Sequence, residues 1–244
     1  MDQIYIVGGG NHAKVVIDLI EQEGRFAIAG IFDRGKPAGE TLCGYPYLGD
    51  ELVYLRAHAA EPINLTIALG ENFDRARTYE ELRALSKTFR FPTLAHPSAT
   101  IARRTEIGDG CTFMAGSVVN PFVTMGRLCI LNTNAAIDHD SVLGDFVNLC
   151  PGVATGGGVK LGDYAFVGVG ANLRDSVSIG ENAQIGVGAA VVSDVAANSC
   201  ALGVPAKHVR WREPGARFMD GRPQAAAPQH KSQLQYPGSV RRVS

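Results

Sequence analysis

The sequence predicts an α/β domain followed by a parallel β-helix, and two observations predict this fold class. Strand-like apolar runs alternate with helical patterns over residues 3–92, an order typical of a parallel sheet with crossover helices. From about residue 95 onward the helical period disappears and apolar residues recur at every sixth position, which is the repeat of a parallel β-helix. We therefore divide the chain into an α/β domain (1–95), a β-helix domain (96–210) and a tail (211–244).

The N-terminal part begins with a strand, a glycine-rich turn and a helix. The strand runs from Ile4 to Val7, and helical apolar spacing follows over Lys14–Glu23. Two further strands are predicted over 27–32 and 63–69, the second of them followed by a helix. The roughly 95 residues before the repeat have room for one βαβαβ half of a dinucleotide fold. We therefore expect a half-Rossmann-like parallel sheet that binds a mononucleotide or a nucleotide-sugar rather than NAD.

The six-residue repeat is regular from Ile101 to Val191. Of the 16 positions reached by counting every sixth residue, which we call marker positions, 15 are apolar and Thr155 is the exception. The residue two positions before each marker is small or compact, and the residue after the marker is glycine in 8 of 16 cases. We expect the marker to point inward and the glycine to relieve strain where the chain bends. Three hexads would close one triangular coil, which predicts about five stacked coils.

Composition and charge exclude several classes of function. Lys plus Arg (23) nearly balances Asp plus Glu (24), so no bulk charge favours nucleic acid or an anionic membrane as a partner. No apolar run approaches the roughly 18 residues of a membrane span, and the start does not read as a secretion signal, so we expect a cytoplasmic protein. The five scattered cysteines lack paired spacing and are expected to be reduced and mostly buried. The tail has the composition of a flexible segment.

The first candidate site is the glycine-rich turn after the first strand. The run from Gly8 to Ala13 fits the pattern G-x-G-x-x-A, and Asp33 follows about 20 residues later at the end of the second strand. In nucleotide-binding βαβ units, the backbone N–H groups of such a turn and the helix N-terminus receive phosphate. The alternative is a packing turn that binds nothing. We expect a phosphate or nucleotide site.

The second candidate is His139, which is the one histidine inside the hexad region. It lies two residues after the marker Ile137, so we expect its side chain at an outward corner. An imidazole can accept a proton near neutral pH, and Asp138 or Asp140 beside it would raise its basicity. The alternative is a solvated surface histidine. We expect no metal, because a catalytic zinc needs about three protein ligands, and no nucleophilic cysteine.

Several motifs together resemble one family of bacterial enzymes. They are the Gly8–Lys14 turn and the segments at 68–72, 131–146, 158–162 and 203–207. This combination resembles the PglD-type nucleotide-aminosugar N-acetyltransferases and the related NeuD-type sialic acid O-acetyltransferases over nearly the whole range 4–209. The resemblance implies a left-handed β-helix, a homotrimer, and acetyl-CoA lying in the groove between adjacent prisms. It implies acetyl transfer to the amino group of a nucleotide-linked 4-amino-4,6-dideoxy sugar.

The resemblance also implies roles for individual residues. His139 would be the general base and Asp140 its partner. The residues that would hold the nucleotide-sugar are Gly10, Asn11, His12, Asp33, Arg34 and Gly70. The residues that would contact acetyl-CoA are Asn148, Val169 and Val187, the last two through their backbone.

Two other functions stay open at this point. An enzyme of the same fold could acetylate a hydroxyl group, on sialic acid or on another sugar. A protein of another class, a non-catalytic nucleotide-binding scaffold, could use the prism only to form a trimer. Binding of acetyl-CoA separates the scaffold from the enzymes, and the acceptor group separates the two enzymes from each other.

Overall fold

The computed structural model of the protein describes residues 1–218, and its N-terminal part is a parallel α/β domain. The strand order of its sheet is β3-β4-β2-β1-β5, in which only β3 is antiparallel. The parallel sheet with crossover helices is therefore confirmed. Its elements in chain order are β1 (Asp2–Val7), α1 (Asn11–Glu23), β2 (Phe26–Phe32), β3 (Thr41–Leu42), β4 (Tyr45–Gly49), α2 (Glu51–Ala57), β5 (Asn64–Ile67) and α3 (Asn72–Leu85).

The hairpin β3–β4 and helix α2 are not predicted by the sequence analysis. The hairpin turn consists of Cys43 (φ 50°) and Gly44 (φ 88°), two residues with positive φ as in the tight turns that suit hairpins. Helix α2 begins after Asp50, whose carboxylate accepts the N–H of Leu52 at 2.8 Å. Both elements are too short to produce a clear apolar period, which explains why pattern analysis misses them.

The second part is a parallel β-helix of very short strands, which form three sheets. We name the sheets after one residue of each: the Ile137 face, the Leu143 face and the Leu149 face. Pairing joins residues 18 apart, as in Val118 with Ala136 and Ala136 with Ala154, so three hexads close one coil as predicted. The left-handed β-helix that the resemblance implies is the fold class of this domain.

The strands of the three faces alternate along the chain. The Ile137 face contains β7 (Thr100–Ile101), β10 (Val118–Val119), β13 (Ala136–Ile137), β16 (Ala154–Thr155), β19 (Asn172–Leu173) and β22 (Ala190–Val191). The Leu143 face contains β8 (Glu106–Ile107), β11 (Thr124–Met125), β14 (Val142–Leu143), β17 (Lys160–Leu161) and β20 (Ser178–Ile179). The Leu149 face contains β6 (Leu94–Ala95), β9 (Thr112–Phe113), β12 (Ile130–Leu131), β15 (Asn148–Leu149), β18 (Phe166–Val167), β21 (Gln184–Ile185) and the final hairpin β23 (Ser199–Leu202) and β24 (Lys207–Trp211).

The interior of the β-helix is filled by two side chains from each hexad. The markers Ile137 and Leu149 are fully buried, and so are Ala135 and Val147, which lie two positions before a marker. Burial of one large aliphatic side chain stabilises a fold by roughly 1.5–3 kcal/mol. The repeated stacking of these residues accounts for a continuous core that runs the length of the prism.

The prediction that the glycine after each marker relieves strain at the bend is wrong. None of these eight glycines has a positive φ, and the left-handed residues lie three positions after the marker, as in Asp140 (φ 58°) and Phe146 (φ 60°). The glycines lie where one coil touches the next. A Cβ atom at Gly108 would lie only 2.7 Å from the backbone nitrogen of Arg127. Close approach between coils, not bending, is what requires glycine here.

The chain bends between the faces along three edges of the prism. The His139 edge joins the Ile137 and Leu143 faces, the Phe146 edge joins the Leu143 and Leu149 faces, and the Val169 edge joins the Leu149 and Ile137 faces. The α/β domain packs on the Phe146 edge, where Leu128 and Phe146 enter the apolar cluster of α3 and β5 and Tyr164 packs against it. The two domains therefore share one core cluster.

The residues after β24 return along the Leu149 face. Phe218 is buried and stacks on Phe166 with a centroid distance of 4.5 Å, and the Arg212 guanidinium bonds to Gln184. The segment 212–218, which the sequence analysis assigns to the flexible tail, thus packs against the prism. The remainder of that predicted tail, 219–244, lies outside the described residues.

Candidate active site

The His139 side chain projects outward from a bend of the β-helix. Its side chain is 59% exposed, and its Nδ1 atom lies 2.7 Å from Asp140 Oδ2. The hydrogen bond to Asp140, together with the nearby charges of Asp138 and Asp175, raises the pKa of His139 above its usual value. The predicted outward imidazole beside a carboxylate is therefore present in the structure.

The neighbouring Asp138 fixes the backbone of this bend. Its Oδ1 atom accepts the backbone N–H of His139 at 2.7 Å and the side-chain amide of Asn120 at 2.7 Å. The carbonyl oxygen of His139 accepts the N–H of Gly158 in the next coil at 2.8 Å. The backbone on both sides of the imidazole is held by hydrogen bonds.

The imidazole of His139 lies against Gly157 of the next coil. A Cβ atom at Gly157 would lie 2.6 Å from Cε1 and 2.8 Å from Nε2 of the ring, so only glycine leaves room for the ring in this position. An open pocket of 570 Å³ adjoins the imidazole. Its lining residues are Asp138, His139, Asp140, Gly157, Gly158, Asp175 and Ser176.

Replacing Gly157 by alanine tests whether this ring position matters. We expect Gly157→Ala to lower kcat by up to about 100-fold, because a displacement of about 1 Å of a reacting group can cost that much. Gly24→Ala is the control, since it adds a methyl group at the C-cap of α1, where a Cβ meets nothing within 4 Å; its φ of 66° predicts a loss of stability but none of kcat. Turnover and thermal stability of both variants are measured. A Gly157→Ala enzyme with normal kcat would show that the ring position does not matter.

The glycine-rich turn lies at the carboxyl ends of β1, β2 and β5, the usual place of ligands in open parallel sheets. Asp33 holds this turn: its Oδ2 atom accepts the N–H of Gly9 at 2.8 Å, and its Oδ1 atom accepts the N–H of Gly35 at 2.8 Å. Gly10 is the N-cap of α1 and provides no side-chain cap, so the first N–H groups of the helix face the turn without a capping oxygen. Such an N-terminus favours an anion.

A pocket of 200 Å³ adjoins the turn, and Arg34 lies at its side. The Nη2 atom of Arg34 is 2.5 Å from Glu51 Oε1 and 2.9 Å from Glu81 Oε2, and these contacts raise the pKa of Arg34. A ligand in this pocket would therefore meet an arginine that is already paired with two carboxylates. The lining residues are Val7, Gly8, Phe32, Asp33, Arg34, Glu51, Leu69, Asp74, Arg77 and Thr78.

His12, Gly70 and Asn148 lie at the junction of the two domains. The Nε2 atom of His12 is buried and has no hydrogen-bond partner among residues 1–218. Burial and the nearby charge of Arg75 lower the pKa of His12 to about 4, so its imidazole is neutral at physiological pH. The Asn148 side chain donates to the carbonyl oxygen of Gly70 at 3.1 Å, which ties the α/β domain to the Leu149 face.

Arg75 is the central residue of this junction, and the sequence analysis misses it. Its guanidinium donates to the carbonyl oxygens of Leu69 and Gly70 in the α/β domain and to those of Leu128 and Phe146 on the prism. A fifth bond, to the Asn72 side chain, completes the set. Because these partners come from three separate segments, no spacing pattern in the sequence could have indicated this residue.

The predicted site residues fall into three separate places in one chain. Gly70 and Asn148 are joined to each other, and the turn with Gly10 lies in the same domain as Gly70. His139 lies on the edge between the other two faces, and therefore opposite the Leu149 face that carries Asn148. Val169 (47% exposed) and Val187 (77% exposed) lie on the third edge. One chain alone does not bring His139 to the nucleotide-binding turn.

The cysteines agree with the sequence analysis. All five are free, and all but Cys43 are buried; burial raises the pKa of Cys150 to about 12. In the part of the chain that the structure describes, no group of three or more His, Cys, Asp or Glu side chains is arranged to hold a metal ion. The helices of residues 1–218 are all too short or too polar to cross a membrane.

Comparisons with known proteins agree with this arrangement of domains. The PglD N-terminal domain family matches residues 3–82. Perosamine N-acetyltransferase from Caulobacter crescentus, solved with CoA and GDP-perosamine and with one histidine replaced by asparagine, is 35% identical, has a TM-score of 0.79, and aligns over 86% of this chain and 98% of that chain. The chain belongs to the PglD-type nucleotide-aminosugar N-acetyltransferases. Its fold is thus that of an established family of enzymes, and its glycine-rich turn lies within the range that the family model matches.

Two further relatives of this PglD-type chain bear related names. The acetyltransferase domain of PglB from Neisseria gonorrhoeae, solved with acetyl coenzyme A, is 32% identical with a TM-score of 0.79, over 85% of this chain and 98% of that chain. GDP-perosamine N-acetyltransferase from Escherichia coli O157:H7 is 28% identical over 166 residues, which are 64% of this chain and 71% of that protein.

Proposed function

We propose that this protein transfers the acetyl group of acetyl-CoA to the amino group of a nucleotide-linked amino sugar. The observation that carries the proposal is the exposed imidazole of His139, which is oriented by Asp140 at 2.7 Å beside an open pocket. The family and the CoA complexes of its relatives support acetyl-CoA as the acetyl donor. The resemblance favours a 4-amino-4,6-dideoxy sugar as the acceptor.

In this proposal His139 is the general base. Because Asp140 accepts a hydrogen bond from Nδ1–H, the free Nε2 atom is the proton acceptor. The amine attacks the thioester carbonyl carbon, its proton passes to Nε2, and the thiolate of CoA leaves when the tetrahedral intermediate collapses. The proton on Nε2 is then available to the departing sulfur. The net products are the N-acetyl sugar and free CoA.

The negative oxygen of the tetrahedral intermediate needs a hydrogen-bond donor. The backbone N–H of Gly157 is suited to this role, because Gly157 lies against the ring of His139 and its N–H has no acceptor within residues 1–218. The side chain of Asn148 is the other candidate. Its amide oxygen accepts a hydrogen bond from Asn132 at 2.9 Å, which leaves the amide hydrogens for Gly70 and a ligand.

The nucleotide-sugar is proposed to bind at the glycine-rich turn. The N–H groups at Gly10, Asn11 and His12 would receive the phosphates, while Asp33 keeps the turn in shape. The neutral His12 and the Gly70 loop would hold the sugar near the Leu149 face. Arg34 would contribute to the rim of the nucleotide pocket.

We further propose that the active enzyme is a homotrimer. The position of His139 opposite the Leu149 face leaves each chain without a base near its own turn, and a second copy would supply it. Acetyl-CoA would then lie between adjacent prisms and contact Asn148, Val169 and Val187. A cytoplasmic location fits the five free thiols.

Release of free thiol from acetyl-CoA tests the proposed function. The enzyme is assayed with GDP-, UDP- and dTDP-linked amino sugars and with matched sugars that carry a hydroxyl in place of the amine. We expect thiol release only with amine acceptors. Activity with hydroxyl acceptors alone would indicate an O-acetyltransferase, and absence of acetyl-CoA binding would indicate a scaffold; either result would overturn the proposal.

A further inference from the structure

Thr155 is the one polar residue among the 16 marker positions. Its neighbours in the same face, Ile137 and Leu173, are 0% and 4% exposed, whereas Thr155 is only half-buried. A valine or leucine here would continue the apolar core. The polar side chain therefore costs core packing, and its position calls for another explanation.

The hydrogen-bond ladder changes at Thr155. In the other coils of this face, the N–H after a marker donates to the carbonyl oxygen of the marker in the next coil, as Asn120 does to Ile137 (3.0 Å) and Arg174 to Val191 (2.9 Å). The N–H of Asp138 donates instead to the side-chain Oγ1 atom of Thr155 at 3.0 Å. In agreement, Ala136 pairs with Ala154, but the next pair of the regular ladder is missing.

The altered hydrogen bond is next to the proposed base, because Asp138 immediately precedes His139 in the chain. Asp138, whose N–H the threonine hydroxyl accepts, in turn accepts the backbone N–H of His139 at 2.7 Å. Two residues after Thr155 comes Gly157, against which the imidazole lies. The hydroxyl of Thr155 is thus connected, through the backbone of Asp138, to the bend that carries His139.

We propose that Thr155 is a positioning residue for His139, acting through the backbone of Asp138. Its hydroxyl replaces a backbone carbonyl as the acceptor of the Asp138 N–H, one residue before His139, while the bend itself keeps the regular bond from the Gly158 N–H to the His139 carbonyl oxygen. With valine at this position, the Asp138 N–H would return to the carbonyl oxygen of residue 155, and the imidazole would move with the bend. This inference rests on the proposed role of His139 as the base.

Thr155→Val is the decisive variant, because valine has nearly the same shape and restores the apolar pattern. We expect kcat to fall by about 10-fold or more, while the KM values for acetyl-CoA and acceptor change less than about twofold and the melting temperature does not fall. Thr155→Ser keeps the hydroxyl and is expected to retain most of the activity. Should the valine variant fail to fold, Thr155→Ala takes its place.

Thr112→Val is the matched control. Thr112 is buried on the Leu149 face, and its Oγ1 atom has no partner among residues 1–218, so the same chemical change there should leave kcat unaltered. The inference is overturned if Thr155→Val keeps the kcat of Thr112→Val, or if Thr155→Ser loses as much activity as the valine variant. A lowered kcat with a proportionally lowered melting temperature would also overturn it, since it would indicate a purely structural residue.

The imidazole NMR signals of His139 give a readout that does not depend on activity. We expect them to shift in Thr155→Val and to stay in place in Thr112→Val. Suppose that the wild-type protein acetylates nothing, yet the His139 signals shift in Thr155→Val as expected. That result would contradict the proposed function and leave the positioning role intact. An active wild type with unmoved signals would contradict the positioning alone.

Discussion

His139→Ala is expected to lower kcat by about 10²–10⁴-fold, the usual contribution of a general base. Without the imidazole, the proton of the attacking amine would have to pass to water. The KM for acetyl-CoA should change little, because the side chain is exposed and acts on the amine. Steady-state thiol release at saturating acceptor measures the effect, and circular dichroism checks that the fold is retained. A variant with near-normal turnover would contradict the assignment of the base.

The pH dependence of the Asp140→Asn variant provides the companion measurement. The hydrogen bond to Asp140 raises the pKa of His139, so the neutral, basic form of the imidazole accumulates only as pH rises through that raised value. In wild-type enzyme the rate should therefore rise with pH along a limb above the usual histidine value of about 6.5. Asparagine removes the charge, so this limb should move to lower pH and the maximal rate should fall because the base is weaker.

Mixed trimers of two inactive variants are expected to regain activity. Gly10→Phe places an aromatic ring in the phosphate-binding turn, where an added Cβ meets nothing within 4 Å and φ is −80°, so the fold should accept it while the ligand is excluded. His139→Ala removes the base. If a site takes its turn from one chain and its imidazole from another, every trimer that contains both variants restores one of its three sites, about one third of wild-type activity.

This complementation is measured on trimers that are co-expressed with two different tags and purified through both. The purified single variants, mixed without subunit exchange, are the control and should stay inactive. Mixed trimers as inactive as their parents would show that each site is contained in one chain. Light scattering that gave a monomer would contradict the shared site as well.

The larger features of the fold follow from periodic patterns in the sequence. Strand and helix periods predict the parallel sheet, and the hexads predict three faces and coils of 18 residues because each hexad buries its marker. The outward position of His139 follows from its distance to Ile137, and the adjacent Asp140 was visible in the sequence as a possible partner. These predictions succeed because they depend on residues that are neighbours along the chain.

Other features depend on contacts that no spacing reveals. The sequence pattern predicts that the glycines after the markers relieve strain at the bends. In the structure they allow close contact between coils, because the room for a Cβ atom at these positions is limited by the next coil. Arg75 joins segments that are far apart in the chain. Thr155 is visible in the sequence as the one break in the apolar pattern. Only the hydrogen bond that its hydroxyl accepts from the Asp138 N–H indicates a role for the polar side chain.

The segment 212–218 alters how the prism can unfold. Stacked repeats usually fray from their ends, since each coil contacts only its neighbours. Here the segment after the last coil bonds to the start of helix α3 in the first domain. Phe218 donates its N–H to Glu71 at 2.9 Å, and Arg217 forms an ion pair with Asp74 at 3.0 Å. Opening of the terminal coil then requires release of these contacts with the α/β domain, and residues 1–218 should unfold as a single cooperative unit.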